Sequence, residues 1–368
     1  MKILLVTKLF PPDSGVSTLR MNFFYTELSR NGHEVDVLKY GDTTDFLGNI
    51  KTVDRNLFKS FLSALLGRRR IRKIVAPLLA QYDMIFVSAA PYELYEIAYS
   101  ARYIGIPFIL DMRDLPNLTS SEQKGEKPQL WLSFKSWAID LYIKKIARNA
   151  VALLCVGTIA TALTQLKFKN IPVRILNVHN GFNLSDLNFV REGSPVICKS
   201  GHHTNIGCVG NVFRFRDTFE LRDILCRLNQ RKESVRFYHW GKMEAGLLAH
   251  VKSLENIQYI PRQSVPRPEL LQELHSLDGF LLACSEDLIW EPTTSVFDYV
   301  LYDKPVIFAG LRNNEAYCIL RHTRSQIVHS EDIKSFDFAA HAPNGKTPDL
   351  LSCYSREYYM DRLLSLIQ

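Results

Sequence analysis

Side chains that could act on a substrate stand directly after an apolar run in the first third of the chain. Asp111, Arg113 and Asp114 follow Phe108–Leu110. In one interpretation, Asp111 or Asp114 orients a substrate hydroxyl or takes its proton, while Arg113 holds the carboxylates or a phosphate. In the other, the same groups form a structural ion pair. The sequence leaves both open, and the three residues are the catalytic candidates.

A glycine-containing turn, Pro11–Gly15, lies between a short apolar run and a helical pattern over Ser17–Arg30. The N-terminus of a helix offers backbone N–H groups and a positive dipole to a phosphate, so Gly15 is a candidate phosphate contact. The alternative is an ordinary turn in which Asp13 or Ser14 caps the helix.

Two arginines follow a second apolar run, Ile206–Gly210. Arg214 and Arg216 lie in one loop with Asn211. Guanidinium groups match phosphate oxygens bidentately, and this loop therefore predicts a diphosphate site. Solvated loop charges are the alternative.

Hydroxyl groups mark another candidate anion site, at the start of a predicted helix. Thr293, Thr294 and Ser295 can offer hydroxyls and open backbone N–H groups to a phosphate. Asp298, about one turn further on, can accept a hydrogen bond from a ribose hydroxyl, or it stabilises the first turn of its helix.

The elements before these loops must end at a common edge if the loops are to form sites. Residues 3–38 read as strand, helix and strand, which is a βαβ unit, and the alternation continues through both halves of the chain. In an open parallel sheet, ligands bind beyond the carboxyl ends of the strands, where all four loops lie. We therefore predict an α/β protein with two Rossmann-like, doubly wound domains, residues 1–181 and 182–350, followed by a final helix over 354–368.

Composition excludes several classes of protein. The chain has 368 residues, of which 46% are hydrophobic and 23% charged, which suits two or three globular domains. No apolar run approaches the ~20 residues of a membrane-spanning helix, and the first residues resemble a buried strand rather than a signal peptide, so we expect a cytoplasmic location. The 7 cysteines and 10 histidines show no C-x-x-C or H-x-x-x-H pair, so we expect no metal and no cofactor.

Positive charge gathers in one segment. The formal net charge is +7, and a predicted amphipathic helix over Leu57–Ala80 interleaves apolar residues with cations. Such a stretch favours an anionic membrane surface; a solvated helix face, a nucleic-acid patch and a clamp for an anionic acceptor are the alternatives. Nucleic acid is the least supported, because no helix-turn-helix is recognisable. The cationic cluster consists of Arg68, Arg69, Arg70, Arg72 and Lys73.

Taken in order, these segments resemble a family: the retaining nucleotide-sugar glycosyltransferases of the GT-B fold, glycosyltransferase family 4 and its relatives. The likeness covers nearly the whole chain, and it rests on the order and spacing of short motifs. The motifs are Met1–Val6, Phe10–Gly15, Gly32–Val35, Pro107–Asp114, Asn180–Gly181, Gly207–Asn211, Ser295–Tyr299, Lys304–Val306 and Tyr354–Tyr359.

The resemblance implies two domains that face each other across a cleft, with the acceptor on the N-terminal one, the donor on the C-terminal one and a last helix that crosses back. It also implies roles for residues that match the family's motifs. Gly15 would lie near the donor phosphate, Arg214 or Arg216 on the diphosphate, Thr294 and Ser295 at a phosphate-binding helix start, and Asp298 on the ribose.

Four departures from the family pattern affect the donor site. Val16 stands where the family often has a second glycine after Gly15, which narrows the backbone freedom of this loop. Ser295 stands where a lysine is common, and Asp298 where glutamate is usual. Trp290 stands where some members carry a second glutamate, so either Glu291 or Glu286 would be the acid that faces the donor sugar.

We therefore expect transfer of a sugar, with retention and without a metal, from a nucleotide diphosphate sugar to a lipid-linked or oligosaccharide acceptor. Assembly of a bacterial surface polysaccharide, such as a capsule, O-antigen or exopolysaccharide, is the expected context. A nucleotide-sugar epimerase of the same fold and a non-catalytic nucleotide-sugar-binding or partner protein are the alternatives.

Overall fold

The chain forms two compact units. The first contains Met1–Asn180 and Met360–Gln368, and the second contains Gly181–Tyr359. In this computed structural model, the residues described are 1–13, 15–41, 50–54, 72–89, 94–113, 129–192, 203–213, 216, 218–286, 288–290, 292–338 and 346–367.

A seven-stranded parallel sheet forms the centre of the first unit, in the order β3-β2-β1-β4-β5-β6-β7. Its middle strands are continuous apolar runs, since helices cover a parallel sheet on both faces. The strands are β1 Lys2–Thr7, β2 Glu34–Gly41, β3 Ile50–Asp54, β4 Met84–Ser88, β5 Phe108–Met112, β6 Ala152–Cys155 and β7 Arg174–Asn177. The sequence analysis did not predict β3.

The helices of this unit divide between the two faces of the sheet. Right-handed crossovers place α1, which moves the chain from β1 to β2, on one face, and α2 to α5, which move it in the other direction, on the opposite face. The helices are α1 Val16–Arg30, α2 over residues 72–79, α3 Tyr95–Ile104, α4 Gln129–Ala147 and α5 Thr158–Lys167. Of the predicted basic helix over 57–80, the part up to residue 71 lies outside the described residues.

A six-stranded parallel sheet forms the centre of the second unit, in the order β10-β9-β8-β11-β12-β13. The strands are β8 His203–Val209, β9 Ser234–Trp240, β10 Ile257–Arg262, β11 Gly279–Ala283, β12 Val306–Ala309 and β13 Ile327–Val328. The helices are α6 Leu184–Glu192, α7 Phe219–Asn229, α8 Ala245–Lys252, α9 Arg267–His275, α10 Val296–Tyr299, α11 Glu315–His322 and α12 Pro348–Ser352.

Alternate residues of β11 enter the two halves of this unit's core. Phe280 packs in one cluster, where its ring stacks on that of Tyr299 with centroids 4.4 Å apart. Leu281 packs in the other cluster, together with Leu225 of α7. This alternation is what a strand buried on both faces requires. The last helix, α13 Arg356–Ile367, begins in the second unit and ends in the first.

Candidate functional site

The carboxyl end of β5 carries a buried ion pair. Arg20, on α1, donates from Nε to Oδ2 of Asp111 at 3.0 Å and from Nη2 to Oδ1 at 2.8 Å. Asp111 is 0% exposed and Arg20 is 2% exposed. One guanidinium therefore occupies both carboxylate oxygens in the bidentate geometry that makes such pairs strong.

Arg20 also binds the chain that follows β7. Its Nη1 donates to the carbonyl oxygens of Val178 at 2.9 Å and His179 at 3.1 Å. His179 is itself buried, with Nε2 3.2 Å from the side-chain amide nitrogen of Asn177. One side chain thus joins α1, the end of β5 and the segment after β7.

This burial changes the interpretation of the catalytic candidates. Asp111 has no exposed surface that an acceptor hydroxyl could reach, which favours the ion-pair interpretation, with Arg20 rather than Arg113 as its partner. Arg113 is half-buried, and none of the described groups accepts a hydrogen bond from its Nε. Asp114 lies outside the described residues. In this structure Asp111 is the buried partner of Arg20.

The turn before α1 has a glycine backbone conformation at Gly15. Gly15 has φ +122°, which only glycine adopts without strain, and a Cβ placed on it would meet nothing within 4 Å. The turn is anchored by Asp13, whose Oδ2 accepts from the backbone N–H of Phe10 at 3.2 Å and from Nζ of Lys39 at 2.7 Å. Gly15 therefore offers an open backbone at the carboxyl end of β1.

Acid should destabilise the protein through His179. Burial, and next the charge of Arg20, lower the pKa of His179 from 6.5 to about 3. The unfolded chain binds a proton at His179 that the folded chain excludes. The stability that neutral His179 contributes is therefore fully present above about pH 6.5, and the free energy of unfolding falls by about 1.4 kcal/mol per pH unit as the pH drops from there towards 3. From pH 7 to pH 5, the free energy of unfolding measured by urea denaturation should fall by about 2 kcal/mol more in the wild type than in His179→Gln. Equal losses in both proteins would contradict the assignment.

In the second unit, the loop after β8 folds back over the end of its own strand. Nη1 of Arg216 donates to the backbone oxygen of Asn211 at 3.2 Å and lies 3.7 Å from where a Cβ on Gly210 would stand. Burial raises the pKa of the Cys208 and Cys284 thiols, and the charge of Arg216 opposes the shift at both. The guanidinium therefore lies beside Gly210, at the end of β8.

The residues that follow β9, the strand next to β8, hold the loop after β8 in place. Oδ1 of Asn211 accepts from the backbone N–H of Lys242 at 2.8 Å. Gly241, just after β9, has φ +141°, and a Cβ there would lie only 2.5 Å from the backbone oxygen of Gly210. Only glycine fits at this crossing. Asn211, a predicted donor contact, thus uses its side-chain oxygen to tie two loops together, while Arg214 lies outside the described residues.

The hydroxyl-rich turn Thr293–Ser295 lies beside the end of β11. Oγ1 of Thr293 is 3.6 Å from Sγ of Cys284, the residue that follows β11. Thr293 and Ser295 are buried, and Thr294 is half-buried. The helix after this turn, α10, spans four residues and is shorter than predicted. Glu291 lies outside the described residues.

An arginine that the sequence analysis did not identify holds Asp298. Nη1 of Arg267 donates to Oδ1 of Asp298 at 2.7 Å, and its Nε donates to Oδ2 of Asp186 at 3.0 Å. Burial lowers the pKa of Arg267, but the two carboxylates outweigh it and raise the pKa overall. Oδ1 of Asp298 is thus engaged by Arg267, while the carboxylate keeps lone pairs that can accept a further hydrogen bond.

The chemistry available at these strand ends is suited to an anion. Arg216 supplies a guanidinium, and Thr293–Ser295 supply hydroxyls beside the adjoining strand. Among the side chains that the structure describes, no three from His, Cys, Asp and Glu are placed to hold a metal ion. Cations and hydroxyls at the carboxyl ends of parallel strands are groups that can bind an anion.

The sequence carried a signal for one of the missed residues. Arg20 lies on the buried stripe of α1 with Met21, Phe24 and Leu28, and a charge on an apolar stripe predicts a buried partner. Asp111, inside an apolar strand, is the matching signal. Arg267 begins α9 and carries no such signal, because its partners come from α6 and α10.

Several solved structures have folds similar to that of this chain. The Anabaena protein HepE, solved with UDP-glucose, is 12% identical with a TM-score of 0.62, covering 100% of this chain and 99% of its own. A glycosyltransferase from Rickettsia africae is 14% identical with a TM-score of 0.62, covering 99% and 97%. A trehalose-6-phosphate synthase, studied for glycosyl transfer with retention, is 14% identical with a TM-score of 0.64, covering 99% and 98%. The chain has the GT-B fold.

The GT-B fold confirms the predicted fold class. At these identities the similarity extends to the fold alone. No protein-family model matches the sequence, and a search of curated proteins finds no match. None of the helices in the described part of the chain has both the length and the hydropathy to span a bilayer.

Proposed function

We propose that this protein is a glycosyltransferase that moves a sugar from a nucleotide diphosphate sugar to a lipid-linked or oligosaccharide acceptor. The observation that carries the proposal is the position of Arg216, folded back beside Gly210 at the end of β8. There the guanidinium can bind the diphosphate and stabilise the negative charge that grows on it as the bond to the sugar breaks. HepE, which was solved with UDP and with UDP-glucose, supports this class of donor.

The two units would divide the work. The second unit binds the donor: Arg216 binds the diphosphate, Thr294 and Ser295 contribute their turn, and Asp298 accepts from the ribose. The first unit binds the acceptor, and Gly15 lets its backbone approach the donor phosphate. The Arg20–Asp111 pair fixes the chain beneath this acceptor site.

The context of the reaction is also part of the proposal. Transfer proceeds with retention and without a metal, and the trehalose-6-phosphate synthase studied for transfer with retention supports the first point. The product enters a bacterial surface polysaccharide assembled from the cytoplasmic side. The basic cluster, of which Arg68–Arg70 lie outside the described residues, faces an anionic membrane surface.

Replacing Asp298 with alanine should weaken nucleoside diphosphate binding by about tenfold, the cost of one hydrogen bond to a charged group. The matched control is Asp186→Ala, because it also removes a carboxylate from Arg267. Calorimetric titration should show the loss in Asp298→Ala and not in Asp186→Ala. Similar losses in both variants would mean that Arg267, and not Asp298, supports the nucleotide.

Product analysis tests the proposed activity. The purified protein is incubated with a panel of nucleotide diphosphate sugars and with lipid-linked or oligosaccharide acceptors, and the products are separated and weighed by mass spectrometry. A glycosylated acceptor with equimolar nucleoside diphosphate supports the proposal. An interconverted nucleotide sugar would instead indicate an epimerase, and nucleotide binding without turnover of any donor would indicate a non-catalytic binding protein.

A further inference from the structure

A buried histidine lies beside the loop that carries Arg216. His239, the last residue but one of β9, is 0% exposed, and its Nε2 lies 2.9 Å from the backbone oxygen of Gly210, which follows β8. A carbonyl oxygen can only accept a hydrogen bond, so Nε2 carries a hydrogen and donates it. A side chain of the neighbouring strand therefore holds the first carbonyl of the loop after β8.

A tyrosine on the edge strand selects the tautomer of this histidine. Nδ1 of His239 lies 3.1 Å from the hydroxyl oxygen of Tyr259 on β10. Burial raises the pKa of Tyr259, and it lowers the pKa of His239 although the hydrogen bond to Gly210 opposes the shift. The tyrosine therefore keeps its proton and the imidazole is neutral. In a neutral ring with the hydrogen on Nε2, Nδ1 has only a lone pair, so it accepts from the hydroxyl.

Aromatic rings pack around the imidazole of His239. The ring of Phe237, two residues earlier on β9, is inclined by 12° to the imidazole, with centroids 6.4 Å apart. The ring centroid of Tyr259 is 6.2 Å from that of the imidazole. Phe237 is buried in the core cluster against which Tyr259 also packs. Because a protein interior is closely packed, the imidazole has little room to turn away from Gly210.

The contacts of Gly210 determine the backbone on which Arg216 lies. Gly210 has φ +107°, and glycine has the freest backbone of all residues, so its orientation depends on outside contacts. Strand β9 binds both of its polar groups, because its N–H donates to the Trp240 carbonyl at 2.8 Å and its carbonyl accepts from His239. The peptide bond is planar, so the same contacts orient the N–H of Asn211. The carbonyl of Asn211 then accepts from Nη1 of Arg216 at 3.2 Å.

We infer that His239, in the tautomer that Tyr259 selects, is a positioning residue that holds Arg216 in place for the donor diphosphate. Because it is 0% exposed, His239 itself touches no ligand, and its effect passes through the backbone of Gly210 and Asn211. The inference rests on the proposed function, since the ligand of Arg216 is the diphosphate of that proposal. The effect of His239 on the loop, however, is measurable without any ligand.

Amide hydrogen exchange, followed by mass spectrometry on the full-length protein, measures the effect of His239 on the loop. Two amides report on it: the N–H of Val212 donates to the Lys242 carbonyl at 2.8 Å, and that of Arg216 donates to the Phe213 carbonyl at 2.6 Å. His239→Leu removes both ring nitrogens, so exchange in the peptides that cover these amides should become about tenfold faster. His239→Gln should keep most of the protection, because its side-chain amide can donate in place of Nε2.

Tyr259→Phe is a milder variant that should keep the fold, since it removes one hydroxyl and leaves the imidazole in place. Nδ1 of His239 then lacks its donor, so the tautomer that cannot donate to Gly210 becomes more populated. Exchange in the same peptides should become about threefold faster. The matched control is Tyr238→Phe, which removes a hydroxyl from the other face of β9 and should leave this exchange unchanged.

Calorimetric titration shows whether His239 acts through Arg216. UDP, GDP, ADP, CDP and TDP are tested, and the one that binds the wild type best is used for every variant. His239→Leu should weaken its binding about tenfold in the wild type but less than about twofold in Arg216→Ala, because the group that His239 positions is then absent. Val235→Ala, which truncates a buried side chain near the amino end of β9, should change neither the affinity nor the exchange of the loop.

Two results would overturn the inference. One is exchange at Val212 and Arg216 that is equal in the wild type, His239→Leu and Tyr259→Phe. The other is an equal loss of affinity from His239→Leu in the wild type and in Arg216→Ala, since additive losses indicate independent effects. Faster exchange in His239→Leu, in a protein that binds none of the five diphosphates, would support the effect of His239 on the loop while refuting the proposed function.

Discussion

Asp111→Asn should lower the free energy of unfolding by about 3–5 kcal/mol, the cost of breaking a buried ion pair by removing one partner. The substitution keeps the size of the side chain but removes its charge. Arg20, which is 2% exposed, would then be buried without a counter-charge. Since Arg20 also holds the carbonyl oxygens of Val178 and His179, the segment after β7 should loosen with it.

Urea denaturation monitored by circular dichroism measures the change in the free energy of unfolding, and two further variants serve as comparisons. Asp140→Asn breaks the half-exposed pair with Lys167, and it should cost no more than about 1 kcal/mol. The double variant Arg20→Met/Asp111→Val removes both charges and should recover part of the loss, because no charge is then buried without a counter-charge. A cost for Asp111→Asn as small as that for Asp140→Asn would show that the pair does not support the fold.

Arg216→Ala should lower turnover of the nucleotide diphosphate sugar by about 10²–10³-fold, the size of effect seen when one preorganised charge-stabilising group is removed. The reason is that the guanidinium is fixed beside Gly210 before the donor arrives, so it opposes the charge on the leaving diphosphate without reorganising. Ground-state binding of the nucleoside diphosphate should fall by a smaller factor, about 10–100-fold.

The loss of turnover in Arg216→Ala is compared with its loss of affinity for the nucleoside diphosphate. A larger loss of turnover than of affinity shows that Arg216 stabilises the transition state and not only the bound donor. Arg227→Ala is the matched control: it removes one positive charge from α7, where Arg227 pairs with Asp223 at 2.6 Å. It should leave both quantities within about twofold of the wild type, since a surface ion pair contributes little. Equal losses in turnover and affinity for Arg216→Ala would assign Arg216 to donor binding only.

Periodicity made the fold predictable. Buried strands such as Ala152–Cys155 are continuous apolar runs, and α1 buries Met21, Phe24 and Leu28 at a helical spacing, so the order of strands and helices could be predicted from the sequence. The two-residue strand β13 is too short to show a period, and β3 lies at the edge of its sheet, where burial imposes less of a pattern. Helix α10 ends early because Val300 begins the turn that leads to β12.

The candidate site was predictable in its positions but only partly in its roles. The sequence placed Gly15, Asp111, Arg216 and Thr293 at or after the carboxyl ends of strands, and the structure has them there; that ligands bind at these ends stays a prediction. The sequence could not show which side chain contacts which. The sequence predicted an ion pair between Asp111 and its near neighbour Arg113. The observed partner is Arg20, which lies 91 residues away in the chain.

Partners distant in sequence explain the other differences as well. The sequence predicted ligand contacts for Asn211 and Asp298 but not their partners in the protein. Oδ1 of Asn211 accepts from the backbone N–H of Lys242, and Oδ1 of Asp298 accepts from Arg267. Both contacts join loops from separate βα units of the second unit. Local spacing carries no information about them.

The central claim, that the second unit binds a nucleoside diphosphate through Arg216, is tested most directly by calorimetric titration. Wild-type protein is titrated with UDP, GDP, ADP, CDP and TDP, and then with the monophosphate of whichever nucleoside binds best. We expect one or more diphosphates to bind, the matching monophosphate to bind at least about tenfold more weakly, and Arg216→Ala to abolish most of that difference. Binding of none of the five diphosphates by the folded protein, or equal affinity for diphosphate and monophosphate, would contradict the claim.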